Sequence, residues 1–185
     1  MQIINDIDAR NSLFLIIDLQ SKLAPSICNF SNILNCTLKL SQASCVHDIP
    51  VLITEQYKEG LGKTLLQIKS EVPQANYFDK TYFSACGEPS FLELVKQYKR
   101  HQIVVVGTEA HVCVLLTCLD LLRNGFEVTV IADGIGSRNQ LHVQIAIEQL
   151  RQAGATISCA ETVIFQWTER AATADFKKIL PIIKV

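Results

Sequence analysis

The chain has 185 residues, and the 49% of them that are apolar suffice for one large hydrophobic core, so we expect a single domain spanning 1–185. With 17 basic and 18 acidic residues the net charge is −1, which gives no strong field to attract nucleic acid or an anionic membrane surface. No apolar run reaches about 18 residues and the first ten residues carry no export pattern, so we expect no membrane partner and a cytoplasmic location.

Seven cysteines lie in the chain, and an odd number without an export pattern favours reduced thiols over a disulfide framework. No two of them form a CxxC pair, so the sequence predicts neither a zinc knuckle nor a thioredoxin-type dithiol. We expect no metal and no cofactor. All but one of the cysteines are expected to fill buried space with raised pKa values, and Cys113 alone stands in a different context.

The first third of the chain predicts a βαβ unit. The apolar run 13–17 predicts a strand buried on both faces, and Asp18 follows it directly. Residues 27–46 have helical apolar spacing, and a proline then forces an extended start to a second strand over 51–54. The polar, glycine-bearing stretch 55–62 predicts a loop at the strand end where parallel sheets bind ligands.

The remainder of the chain alternates between helices and strands. The apolar spacing predicts helices over 63–70, 91–100, 112–122, 141–153 and 168–179. It predicts strands over 76–83, 103–107, 127–132 and 156–160, and a glycine-bearing loop over 133–139. Such alternation indicates an α/β fold of three layers, α/β/α, with a mainly parallel, Rossmann-like central sheet of about six strands.

The segment 103–125 is the most informative part of the sequence. A buried strand leads into a tight turn, and this turn delivers Cys113 to the first turn of the following helix. Unpaired backbone N–H groups and the helix dipole favour a thiolate there, so the context favours a nucleophile. The alternative is a small buried apolar residue, and the turn leaves the two interpretations about equal.

Asp18 and Lys80 share with Cys113 a predicted position at, or just past, the carboxyl end of a separate strand. Parallel sheets build their sites at that edge, so we expect the three side chains to lie near one another. Asp18 could accept the thiol proton, or it could cap a helix, which is the commoner role of a strand-end carboxylate. Lys80 could orient the other two groups, or it could be an ordinary solvated charge.

Together these residues resemble the isochorismatase-like cysteine hydrolases along nearly the whole chain. The matching motifs are Asp18-Leu19-Gln20, Lys80 followed by Phe83-Ser84, and the segment GTEAHVCVLLTCLDLLRNG around Cys113. The loop TEQYKEGLG is similar to the subgroup of isochorismatase-domain proteins whose substrates are largely unassigned.

The resemblance implies a catalytic triad of Asp18, Lys80 and Cys113, with an oxyanion hole formed by the backbone N–H groups of Glu109 and Cys113. It also implies a cis peptide bond between Thr108 and Glu109. The candidate substrate-binding residues are those of the matching motifs and loop that flank the triad: Gln20, Glu55, Tyr57, Phe83 and Ser84. We therefore expect a metal-independent hydrolase that cleaves a C–N bond of a small amide or carbamoyl compound through a thioester at Cys113.

Two departures from the family pattern narrow the substrate. Nicotinamidases carry a metal-binding D-x-H and a further histidine after the second strand, whereas this chain has TEQYKEG and no histidine there. Isochorismatases proper lack the cysteine that this chain has. The first departure disfavours nicotinamide as a substrate, and the second disfavours the vinyl-ether hydrolysis that isochorismatases proper carry out. Glu109 stands where amidases of the family often have a small residue, and its carboxylate could bind a substrate amine or face solvent.

Other interpretations of the same residues remain. His111 lies two residues before Cys113, but side chains at such spacing on a tight turn usually diverge, so a Cys-His dyad is disfavoured. The remaining histidines read as surface residues: His47, His101 and His142. Arg138 could bind a substrate carboxylate, although Ser137 and Asn139 beside it look like helix N-cap residues.

Two functions outside hydrolysis compete with the enzyme interpretation. One is a binding or scaffold protein that retains the pocket without turnover, and the other is a thiol redox sensor in which Cys86 would resolve Cys113. In every case we expect a small-molecule ligand and a homo-oligomer. The resemblance implies the oligomer, and the apolar tail FKKILPIIKV is long for the free end of a monomer.

Overall fold

The computed structural model describes residues 6–184. Residues 1–5, which belong to the segment searched for an export pattern, and residue 185 of the apolar tail lie outside the described residues. In the described part, no helix is long and apolar enough to cross a membrane.

Six strands form the centre of the molecule. They are β1 (Ser12–Ile17), β2 (Val51–Gln56), β3 (Asn76–Lys80), β4 (Gln102–Thr108), β5 (Glu127–Gly136) and β6 (Thr156–Ser158). Their order across the sheet is β3-β2-β1-β4-β5-β6, and all neighbouring pairs are parallel. Every residue of β1, β2 and β4 is buried, as expected for strands of a parallel sheet that is covered on both faces.

Helices cover both faces of this sheet. They are α1 (Phe30–Val46), α2 (Lys58–Leu61), α3 (Leu66–Glu71), α4 (Phe91–Gln97), α5 (Leu115–Arg123), α6 (Gln140–Gln152), α7 (Ala160–Thr168) and α8 (Ala174–Ile183). Alternate residues of β1 feed two cores, with Leu13 and Leu15 in one and Phe14 and Ile16 in the other. Helices α4, α5 and α6 complete the first core and α1, α3, α7 and α8 the second, which confirms the predicted three layers.

The C-terminal third differs most from the prediction. Strand β6 ends at Ser158, and α7 follows where the sequence predicted the end of a strand and an unassigned stretch. The Asp133 carboxylate accepts the Ala160 N–H at 3.0 Å, so a residue distant in sequence caps α7. Ile179 of α8 is fully buried in the second core, and the apolar tail therefore packs within its own chain.

The strand order reverses direction between β1 and β4, and parallel sheets of this order bind ligands in the crevice at that point. Gly107 of β4 lies directly beside Ile17 of β1 in the register. Its φ is +144°, and a Cβ there would overlap the Ile17 carbonyl oxygen, so only glycine allows this close approach. Asp18 and the turn that carries Cys113 follow these two strands immediately.

Candidate active site

Hydrogen bonds from the neighbouring strands β2 and β4 hold Asp18 in position. Its backbone has a φ of +53°, a left-handed conformation that aspartate tolerates better than most residues. Its N–H donates to the Thr54 carbonyl at 3.2 Å, and its carbonyl accepts from Thr108 Oγ1 at 2.8 Å. Its Oδ1 accepts from Thr54 Oγ1 at 2.7 Å, and the residue is fully buried. The carboxylate is therefore fixed in position by the two strands beside β1, rather than used to cap a helix.

Lys80 completes a buried ion pair with Asp18. Its Nζ lies 2.7 Å from Asp18 Oδ2, and neither side chain is exposed to solvent. The ammonium also donates to Gln56 Oε1 at 2.6 Å and to the Phe83 carbonyl at 3.2 Å. A lysine so enclosed is not a solvated charge, and its position is determined by the groups around it.

Cys113 lies on a five-residue π-helical turn, Ala110–Val114, immediately before α5. Only 7% of the residue is exposed, and the charges of Asp18 and Lys80 both act on its thiol. Burial, with the Asp18 charge second, raises the pKa of Cys113 to about 12, although the Lys80 charge opposes this. The expectation of a favoured thiolate is therefore wrong for the resting protein, because desolvation outweighs the helix terminus.

The turn before Cys113 has the expected backbone. The peptide bond between Thr108 and Glu109 is cis, as predicted. The Glu109 carbonyl accepts the N–H groups of Val112 and Val114 at 3.1 and 3.2 Å, which closes the turn around the cysteine.

Three of the cysteines predicted to be buried are exposed: Cys28, Cys45 and Cys159. Each lies near a helix end, where side chains reach solvent. Cys36 and Cys118 are buried and Cys86 is half-buried, and burial raises the pKa of all three.

A family model described as Isochorismatase domain matches residues 12–162. The chain belongs to the isochorismatase family. It is 38% identical over 177 residues to isochorismatase family protein 1B of Dictyostelium discoideum, covering 94% of this chain and 86% of that protein.

Two solved structures show the same isochorismatase-family architecture. One is a MAR1 ribonuclease from Caenorhabditis elegans, with a TM-score of 0.92, 35% identity, and coverage of 98% of this chain and 93% of that one. The other is the YcaC gene product from Escherichia coli, described as an octameric hydrolase of unknown specificity. Its TM-score is 0.93 at 22% identity, with coverage of 98% and 91%, so it supports the fold alone. The chain is thus an isochorismatase-family hydrolase.

Two residues expected to bind substrate have polar atoms engaged elsewhere. Gln20 donates to the carbonyls of Gln56 and Gly62 at 3.0 and 2.6 Å and accepts the Gln56 N–H at 2.8 Å. Glu55 accepts from the Thr64 N–H at 2.7 Å and pairs with Lys58 at 2.7 Å. Side chains alternate along β2, so Glu55 points away from the face that reaches Asp18 and Lys80.

The contacts of Glu55 also determine its charge. Burial raises the pKa of Glu55, but hydrogen bonds from Lys58 and Thr64 outweigh burial and hold that pKa below its usual value. Glu55 is therefore a charged anchor for the segment that follows β2, and Gln20 clamps the same segment from the β1 side.

The other three candidates surround Lys80. Tyr57 and Phe83 are 57% and 59% exposed, and their backbones contact Lys80 through the Tyr57 N–H and the Phe83 carbonyl. Their rings are free to contact a ligand. Ser84 instead donates to Asp120 Oδ2 at 2.6 Å, which ties its segment to α5.

A second group of charges lies on the β5 side of Cys113. Glu109 neither faces open solvent nor presents a free carboxylate, because Arg138 Nε lies 2.8 Å from its Oε1. His111 Nδ1 lies 2.9 Å from Ser137 Oγ, and its ring is 4.5 Å from the ring of His142. Strand β5 runs four residues further than predicted, and this extension brings residues 137–138 beside the turn.

This second group also bears on the histidine predictions. His142 is half-buried against His111 instead of lying on an open surface. Burial lowers the pKa of His111, and the nearby Glu109 charge opposes that shift only in part. Among the described residues, no three His, Cys, Asp or Glu side chains form a group that could hold a metal ion.

Sequence reasoning missed two residues of the site, Thr54 and Gln56. Both lie on the last three positions of β2, and both direct their side chains to the Asp18 and Lys80 face. The period of two along a strand, counted from the strand's end, is the signal that could have identified them.

Proposed function

We propose that the chain is a metal-independent cysteine hydrolase that cleaves a C–N bond of a small amide or carbamoyl compound through a thioester at Cys113. The observation that carries the proposal is the buried ion pair of Asp18 and Lys80, with Nζ and Oδ2 2.7 Å apart, whose charges both act on the Cys113 thiol. This arrangement supplies a nucleophile, a proton acceptor and a fixed positive charge in one desolvated place.

The first step follows from the state of the thiol. A pKa of about 12 keeps Cys113 protonated at neutral pH, so the thiol becomes nucleophilic only when its proton is transferred. Asp18 accepts that proton as Sγ attacks the substrate carbonyl carbon. Lys80 pairs directly with the carboxylate at 2.7 Å, which places a positive charge beside the base inside an apolar site.

The negative oxygen of the tetrahedral intermediate needs donors on the opposite side. We assign this role to the backbone N–H groups of Glu109 and Cys113 in the turn that the Glu109 carbonyl closes. Collapse of the intermediate breaks the C–N bond, and the proton held by Asp18 passes to the leaving amine. Water then attacks the thioester and Asp18 accepts its proton. Asp18 returns this proton to the departing Sγ, which releases the acid product and regenerates the Cys113 thiol.

The exposed side chains around Lys80 indicate the kind of substrate. Tyr57 and Phe83, together with the 59% exposed Tyr82, offer flat apolar surfaces around the Lys80 side of the site. An adjoining cavity of about 470 Å³ is lined by two lysines, Lys58 and Lys80, and by three acidic residues, Glu59, Asp79 and Glu88. Because the acidic residues outnumber the lysines, this surface suits a small, neutral molecule better than a polyanion.

The similarity to a MAR1 ribonuclease makes RNA the second candidate substrate. The acidic cavity and the net charge of −1 both oppose RNA binding. A screen should therefore include short oligoribonucleotides beside amides, carbamoyl compounds and ureides.

The test is turnover of that panel by the wild type and by Cys113→Ala. Cys118→Ala is the matched control, because Cys118 is a buried cysteine further along the same segment and outside the site. We expect hydrolysis of at least one C–N compound that Cys113→Ala abolishes and Cys118→Ala retains. Full activity in Cys113→Ala would refute the nucleophile, and cleavage of RNA alone would replace the substrate class.

The redox interpretation is less well supported. Cys86 Sγ faces the Thr117 carbonyl on α5 at 4.0 Å, and burial raises its pKa to about 12. A resolving cysteine needs an accessible thiolate, which this environment disfavours. A scaffold without turnover remains the outcome of a negative screen.

We further propose that the chain is a cytoplasmic homo-oligomer. All seven cysteines are free thiols, which suits a reducing compartment. The apolar tail is no longer an argument for self-association, but Leu141 and Ile145 on one face of α6 are 55% and 42% exposed and form a candidate contact. A light-scattering mass near 20.6 kDa would contradict the oligomer.

A further inference from the structure

Gln56 occupies a position in the sheet that commits its side chain to Lys80. The two residues are register partners in the parallel pair of β2 and β3, so their side chains leave the same face of adjacent strands. Gln56 Oε1 accepts from Lys80 Nζ at 2.6 Å, and Gln56 Nε2 donates to the Thr81 carbonyl at 2.8 Å. One buried amide therefore contacts both the ammonium and the segment that follows it.

The surroundings of the ammonium make this contact decisive for its position. Lys80 Nζ has three N–H donors and lies near Asp18 Oδ2, Gln56 Oε1 and the Phe83 carbonyl, with the Tyr82 carbonyl at 3.4 Å. The last two acceptors are backbone carbonyls of residues whose side chains are exposed to solvent. Gln56 is the acceptor that comes from the sheet itself, on strand β2 between the strand of Lys80 and the strand that Asp18 follows.

We infer that Gln56 is a positioning residue, which holds the Lys80 ammonium beside Asp18 and so supports the reactivity of the Cys113 thiol. The inference rests on the proposed function, since it concerns the same site, but nothing in the family motif pattern assigned Gln56 a role. Gln56 acts through Lys80 and does not touch the reacting atoms.

The consequence for Cys113 follows from its electrostatics. Burial and Asp18 disfavour the thiolate, whereas the Lys80 charge favours it. A charge interaction in a desolvated site weakens with distance and with loss of hydrogen-bond geometry, so a displaced ammonium stabilises the thiolate less. Loss of the Gln56 amide should therefore make the Cys113 thiol less reactive.

The local backbone allows this to be tested without disturbing the strand. Gln20 accepts the Gln56 N–H at 2.8 Å and donates to the Gln56 carbonyl at 3.0 Å. This clamp uses only the Gln56 backbone, so replacement of its side chain leaves the strand end attached. Gln56→Met keeps the side-chain length and removes both hydrogen-bonding groups.

A matched control exists at the amino-terminal ends of the strands, opposite to the site. Gln102 is also a buried glutamine at a strand end, and its amide donates to Glu127 Oε2 at 3.0 Å and to the Asp6 carbonyl at 2.8 Å. Gln102→Met therefore removes a comparable buried amide, but far from Lys80. Any effect common to both variants reflects general loss of stability.

The experiment measures the rate of Cys113 alkylation by excess iodoacetamide at pH 9, followed on the Cys113 peptide by mass spectrometry. Below the thiol pKa this rate scales with the thiolate fraction, so no substrate is required. We expect Gln56→Met to slow alkylation at least about threefold and Lys80→Gln to slow it further, while Gln102→Met stays within about twofold of the wild type. In the double variant Gln56→Met/Lys80→Gln, the rate should equal that of Lys80→Gln, because Gln56 acts through Lys80.

Three results would overturn the inference: unchanged alkylation in Gln56→Met, an equal slowing in Gln102→Met, or additive slowing in the double variant. Gln56→Asn, whose amide is shorter by one bond of about 1.5 Å, is the second variant if Gln56→Met does not fold, and it should slow alkylation in the same direction. If Lys80→Gln does not fold, the comparison of the Gln56 and Gln102 variants decides. Failure of the proposed function would appear separately, as absence of turnover with the alkylation pattern intact.

Discussion

Two groups of polar and charged side chains flank Cys113, one on each side. The buried group consists of Asp18, Thr54, Gln56 and Lys80. The rim group consists of Glu109, His111, Arg138 and His142. Each contains an ion pair of nearly the same length, 2.7 Å between Lys80 and Asp18 and 2.8 Å between Arg138 and Glu109.

The two ion pairs differ in solvent access rather than in geometry. Neither side chain of the buried pair is exposed, whereas 64% of the Arg138 side chain is. Charges interact more strongly without water between and around them, and a broken buried pair leaves a charge that cannot be solvated. The buried group should therefore dominate the chemistry of Cys113, and the rim group should contribute little beyond local order.

The largest expected effect separates the two carboxylates. Asp18→Asn should lower kcat about 10²–10⁴-fold on a substrate found by the screen, because it removes the proposed proton acceptor. Glu109→Gln should lower kcat less than about tenfold, since its partner Arg138 is largely exposed. Steady-state kinetics on both variants, with circular dichroism to check folding, measures the difference. Equal losses would abolish the distinction between the two groups.

The second prediction concerns the order in which the thiols react. Burial and the Asp18 charge raise the pKa of Cys113 from 9.0 to about 12, which reduces its thiolate fraction about a thousandfold relative to an ordinary thiol. With sub-stoichiometric iodoacetamide at pH 8, the exposed Cys28, Cys45 and Cys159 should label before Cys113. The helix-terminal context of Cys113, which by itself favours a thiolate, predicts the opposite order. Peptide mapping that found Cys113 labelled first would mean that its thiol is far more acidic than its surroundings indicate.

The third prediction compares one hydrogen bond from each group. Thr54→Val removes the Oγ1 donor to the Asp18 carboxylate and should lower the free energy of unfolding by about 1.5–3 kcal/mol. Ser137→Ala removes the partner of His111 and should cost about 0.5–1.5 kcal/mol, because that bond joins neutral groups. Urea unfolding of both variants at pH 7.5 provides the values, and a larger loss in Ser137→Ala would reverse the comparison.

The smallest effect is a pH dependence of stability that originates in the rim group. Burial lowers the pKa of His111 in the folded protein below the unfolded value, so the unfolded state binds more protons as the pH falls through about 6.5. Stability should therefore decrease from pH 7.5 to pH 5.5, with His111 contributing less than about 1 kcal/mol. His111→Gln should reduce this slope, measured by urea unfolding at the two pH values. Because His47 also has a lowered pKa, part of the slope should remain.

The sequence predicted the strands of the core and the strand-end residues well, and for a clear reason. Buried strands such as β1 and β4 are continuous apolar runs, and polar residues directly after them identify Asp18 and the turn of Cys113. It failed where a distant residue decided the local structure. Asp133 caps α7 across 27 residues, and the pairing of β5 with β4 carries β5 to Gly136 through a stretch whose composition predicts a loop.

The sequence by itself predicted an α/β chain from its apolar periodicity and, from local motifs, a resemblance to the isochorismatase family with three candidate residues at or after strand ends. Both signals are properties of adjacent residues. Only the tertiary structure decided how those residues behave. Burial makes the Cys113 thiol weakly acidic, although its helix-terminal position alone predicts the opposite. Strand alternation and register turn Glu55 away and bring Gln56 to Lys80, because the environment of a side chain depends on strands that are distant along the chain.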